Sequence, residues 1–164
     1  MDLRIDATGL PGRSCPAPAD SGLSGYRDIH VGVQRRNRPT ELLGPQPGDA
    51  ASATWTLPCT ASLSATGVDF RGPYVQGGPG GRFVYLSWVT VDSEGAFVMF
   101  RRAKLMLDAV PGAVAEAAAR DGLLVGRVGL TDARGMPLCA RVVPPAVVWS
   151  AGSGSRPRQP SASR

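Results

Sequence analysis

The sequence predicts a mainly β protein, an antiparallel sandwich or partly open barrel of about seven to eight short strands with one α-helix near residues 111–121. Three observations lead there. Two long apolar segments, 83–91 and 96–108, flank the turn Asp92-Ser93-Glu94-Gly95, in which Gly95 supplies positive φ. Short β-branched stretches recur elsewhere, separated by Gly- and Pro-rich segments. Helical spacing is convincing at only one place.

From the N-terminus, Leu3, Ile5 and Ala7 alternate with Asp2, Arg4 and Asp6, the pattern of a half-exposed strand. Residues 8–26 are Gly, Pro or Ser at more than half their positions and read as a long loop. In 27–36, Ile29, Val31 and Val33 share one face of a second strand, and His30 points away from it. Residues 37–52, with Pro39, Pro45 and Pro47, read as another loop. A third strand over 53–63 places Trp55, Leu57 and Cys59 on one side, and Pro58 argues for an edge or a bulge. The glycine-rich stretch 67–82 then reads as a loop carrying Phe70 and Tyr74.

The strand 83–91 is apolar on both faces and therefore central. Its partner, 96–108, sets Arg102 and Lys104 on one face with Met106 and Asp108. Pro111 suits a first helical position, Ala113, Val114, Ala117 and Ala118 give helical spacing, and Gly122 closes the helix. Residues 123–130 and 136–143 read as a hairpin around the turn 131–135, and Pro144-Pro145 precedes a last strand, 146–149. The domain organisation expected is a single β-rich domain over 1–150 and a disordered Gly/Ser/Arg/Pro tail over 151–164.

Composition narrows the chemistry. Three scattered cysteines, Cys15, Cys59 and Cys139, form no disulfide framework and no C-x-x-C pair. Together with a charged start and no long apolar run, they point to a cytoplasmic protein with reduced thiols and no membrane span. Of the net charge of +5, the tail accounts for +3 through Arg156, Arg158 and Arg164, leaving +2 on residues 1–150. So nearly neutral a body lacks the footprint of a duplex binder, and nucleic-acid contact is expected only non-specifically, through the tail.

Neither a cofactor nor a metal is expected. The run Gly77-Gly-Pro-Gly-Gly-Arg82 leads into a strand rather than a helix and lacks G-K-[ST], so it is no phosphate loop. The turn at Asp132 lacks calcium-loop spacing. His30 is the only histidine, so a catalytic role would run through it, as general base in a small cofactor-independent enzyme. No G-x-S-x-G elbow surrounds Ser87, and Cys139 reads as a small buried hydrophobe. The cations are the better case. Arg102 and Lys104 on a central strand, with Arg71, Tyr74 and Arg82 from the glycine-rich segment, would make a cationic patch for a small anion or an acidic partner surface. The bland alternative is an ion-pair cluster with Asp69, Asp92 or Asp108.

Four stretches together carry a resemblance: His30-Val-Gly-Val-Gln34, Asp69-Phe-Arg-Gly-Pro-Tyr-Val-Gln-Gly77, Arg101-Arg-Ala-Lys-Leu-Met-Leu-Asp-Ala-Val-Pro111 and Gly129-Leu-Thr-Asp-Ala-Arg-Gly-Met-Pro-Leu-Cys-Ala140. Over about residues 2–150 the chain resembles a family of small hypothetical proteins from high-GC, actinobacterial bacteria, the domain of unknown function numbered 5990. That resemblance implies a bacterial, single-domain protein and assigns no activity. The functional expectation is a non-catalytic binding or interaction module.

Overall fold

The structure, a computed structural model, describes residues 1–10, 28–38, 41–44, 51–91, 97–132, 134–135 and 145–153. Alternation builds most of its strands. In β1 (Asp2–Thr8), Leu3, Ile5 and Ala7 are buried and the charged residues face outward. In β2 (Asp28–Gln34), Val31 and Val33 enter the core. The two-residue β3 (Leu42–Leu43) folds back on the end of β2. In β4 (Ser52–Pro58), Trp55 and Leu57 are buried. Next, β5 (Thr60–Ser64) and β6 (Gly67–Arg71) form a hairpin of their own. The short β7 (Val75–Gln76) precedes the long pair β8 (Phe83–Val91) and β9 (Phe97–Met106). Last come α1 (Gly112–Asp121), β10 (Gly122–Gly129) and β11 (Val147–Ser153).

Two sheets face each other. The first has the order β11-β10-β1-β4. In the second, β9 runs the length of β8, β2 pairs with Leu86–Val91 of β8, and β7 pairs with Val84 and Phe83. Leu3, Ile5 and Leu57 from one sheet and Val33, Leu86 and Leu105 from the other belong to one core, so the arrangement is sandwich-like and no barrel closes. Burying each such side chain contributes roughly 1.5–3 kcal/mol.

The helix packs beside β10 and β11 and buries Ala115 and Ala118 in that core, with Val114 packed against it. Gly122 ends it in the left-handed conformation, φ 88°, where its N–H donates to the Ala118 carbonyl. Opposite Trp149, Gly126 leaves room for the indole, since a Cβ there would meet ring carbon Cζ3 at 2.5 Å. That is why a glycine sits inside this strand.

Several expectations need correction. Pairing is antiparallel except for β1 and β10, which run parallel. The connection between them passes through the whole second sheet, so no hairpin rule applied. The strand expected over 53–63 is two strands in different sheets. They break at Cys59, after Pro58, where the ladder with β1 runs out: Pro58 lies opposite Asp2, and the Cys59 N–H donates to the Met1 carbonyl at 3.2 Å. The supposed loops hide pairing: 37–52 contains β3, and 67–82 contains β6 and β7, where Phe70 and Val75 are buried. Pro111 is the N-cap rather than the first helical residue. The last strand runs to Ser153, past the expected end of the domain at residue 150. Most of the loop at 8–26, the turn at 92–95 and the hairpin arm at 136–143 lie outside the described residues.

Candidate functional site

The residues expected to form one cationic patch are divided by strand alternation. On β8, Val84, Leu86 and Trp88 face the core, while Phe83, Tyr85 and Ser87 face the opposite way. Register places Lys104 opposite Tyr85 and Arg102 opposite Ser87, so both cations lie on that outer face. Arg71, at the end of β6, and Arg82, before β8, meet instead at a cleft near the β5–β6 hairpin.

On the outer face the cations stack on rings. The Arg102 guanidinium carbon lies 4.3 Å from the Tyr85 ring centre, and the Lys104 Nζ lies 4.4 Å from that of Phe83. The two rings meet edge to face, centroids 4.7 Å apart. Each stack is worth about 0.5–1 kcal/mol at an exposed site and holds its cation on the strand surface. Both cations are exposed, and among the described residues Lys104 has no acidic partner.

The second locus is built on Asp69. Its Oδ1 accepts from the Arg82 Nε at 2.9 Å and its Oδ2 from the Arg71 Nε at 2.8 Å. Arg82 also donates to the Gly77 carbonyl, tying the glycine-rich turn to the hairpin. The Asp69 and Arg82 side chains are only 19% and 12% exposed, whereas Arg71 is 65% exposed. Hydrogen bonds from Arg82 and then Arg71 hold the Asp69 carboxyl below its ordinary value, against the opposing effect of desolvation. Asp69 is thus ion-paired with both Arg71 and Arg82. The cleft beside them has a volume of about 660 Å³, and Ser62, Ser64, Asp108 and Glu116 also line it.

The other candidates sit elsewhere. Tyr74 packs against the core, seated near the β2–β3 turn by the Arg36 N–H, which donates to the Pro73 carbonyl at 2.8 Å. His30 is half-buried opposite Val89, on the outer face of the second sheet. It takes no part in the cleft, and Asp69, one of the acids that could have oriented it, is committed to two arginines. Ser87 is fully buried and donates to Gln34 Oε1 at 3.3 Å. Burial pushes the Cys59 thiol up to about 11, which suits a core residue and not a nucleophile. Cys139 and the tail arginines lie outside the described residues. Among the described residues no cluster of three His, Cys, Asp or Glu side chains could hold a metal, and no helix is long and apolar enough to cross a membrane.

Sequence reading missed the aromatic partners of the cations and the part played by Glu116. For the first, half the signal was there: Phe83 and Tyr85 alternate on one strand as Arg102 and Lys104 do on the next, but a register shift between Thr90 and Val91, which the sequence does not mark, sets which residues lie opposite.

A two-sheet β protein with a paired-arginine cleft and a cation-bearing sheet face is the class these observations define. The chain belongs to the family described as "Family of unknown function (DUF5990)", which it matches over residues 1–152. That span takes in both sheets and both loci. No curated protein and no solved structure matches it.

Proposed function

We propose that this protein is a non-catalytic binding module whose β8–β9 outer face recognises an acidic surface on a partner. The observation that carries this reading is the stacking of Arg102 on Tyr85 and of Lys104 on Phe83. Two cations are thereby held side by side on an extended sheet, at little further entropic cost when a partner docks. A sheet face suits a macromolecular surface better than a small ion, for which concave sites are the rule. An acidic protein surface is favoured over single-stranded nucleic acid because the cations already cover the ring faces on which bases would stack.

The test is fluorescence anisotropy of a labelled oligo-glutamate peptide with the full chain. Binding should weaken steeply with salt and fall by roughly tenfold or more in the Arg102→Met/Lys104→Met variant, with circular dichroism unchanged. No binding by the wild-type chain, or equal binding by the variant, would sink the reading. Tighter binding of a single-stranded oligonucleotide through the same pair would replace the acidic partner with nucleic acid. Binding lost only on removing residues 154–164 would move the activity to the arginine tail.

A further inference from the structure

The cleft beside the β5–β6 hairpin is lined by charges of both signs, and neither Arg102 nor Lys104 is among them. Of these charges, Arg71 spends only its Nε on Asp69. Its two terminal nitrogens take no protein partner among the described residues, and the side chain is mostly exposed. Arg82 behind it commits each of its three nitrogens to the protein, with bonds to both Asp69 oxygens and to the Gly77 carbonyl. Asp69 therefore works as a fixed anchor that aims Arg71, leaving a forked pair of donors for an incoming carboxylate.

Asp108, just after β9, and Glu116, in α1, line the same cleft. Both are exposed, and neither has a cationic partner among the described residues. The lining is also partly apolar, from Leu107, Val110 and Ala115. An anion alone would meet two carboxylates, and a cation alone would meet Arg71 and Arg82. A molecule with an anionic and a cationic end satisfies charges of both signs. The volume of about 660 Å³ lies in the range of small-ligand sites and exceeds the needs of a single small ion.

We infer that this cleft binds a small zwitterion of the short-peptide class, its carboxylate on Arg71 and its ammonium between Asp108 and Glu116. The site is independent of the acidic-partner face, because Arg102 and Lys104 lie on the outer side of the second sheet.

The experiment is calorimetric titration of the full chain with trialanine and trileucine, each compared with its N-acetylated and its C-amidated form. A free-terminus peptide should bind, and blocking either terminus should weaken it by roughly tenfold or more. In Arg71→Gln the preference for a free carboxylate should vanish. In Asp108→Asn/Glu116→Gln the preference for a free ammonium should vanish, while Arg102→Met/Lys104→Met should bind like the wild type. No binding of either free peptide at millimolar concentration, or equal binding of the free and blocked forms, would overturn the inference. That comparison on the wild-type chain stays decisive even if a variant fails to fold. Loss of peptide binding in the Arg102/Lys104 variant, with its fold intact, would overturn the independence of the two sites.

Discussion

Asp69 receives two arginines on its two carboxylate oxygens, and this one side chain fixes the geometry of the cleft. Folding holds its carboxyl below the ordinary value of 3.8, so the ionised form is bound more tightly in the folded protein than in the unfolded chain. The stability this confers is fully present above the ordinary value and is lost as pH falls through the lower, folded one. In Asp69→Asn, stability at neutral pH should drop, and the gap from wild type should close as both are taken below about pH 3.8. Urea unfolding at several pH values measures this. A gap that stays constant with pH would show that the residue acts through packing or neutral hydrogen bonds instead.

Among the elements, those with clear alternation or a long apolar run were legible in the sequence. In β1 and β2 apolar residues alternate with polar ones, β8 and β9 are long runs of β-branched, aromatic and other apolar residues, and the helix announced itself by alanine spacing and Gly122. The rest failed for physical reasons. Val68 and Phe70 gave too few apolar positions to mark β6 among its glycines, and β3 and β7 are two-residue strands that exist only because β2 and β8 offer them a ladder. The separation of Arg71 and Arg82 from Arg102 and Lys104 depends on which way residue 82 faces at the entrance to β8, which no local pattern states. In β11 the polar run Ser150-Ala151-Gly152-Ser153 looked like the start of a tail, yet it pairs with Val125, Leu124, Leu123 and Gly122. A chain ending at Ser150 loses the last three of these pairs and should lose about 2–4 kcal/mol, on the order of 10 °C in Tm. A chain ending at Ser153 should melt with the full-length protein. Thermal denaturation of the two truncations side by side checks both.

On the scale of the whole molecule, β1 lies between β4 and β10, so the first residues of the chain occupy the interior of a sheet. Leu3 and Ile5 are fully buried, and removing residues 1–8 would expose the inward edges of two strands as well as the core. Such a chain should fail to fold, whereas the intact chain should unfold in a single transition with β1 and β10 among the slowest segments to exchange their amide hydrogens. Hydrogen exchange read by mass spectrometry decides this, and fast exchange in β1 alone would contradict it. The same placement bears on synthesis. At about 5–20 residues per second, β10 emerges on the order of 6–24 s after β1. During that interval the strand born first has β4 to pair with and one edge open, so a nascent chain carries an unfinished sheet until its last quarter leaves the ribosome.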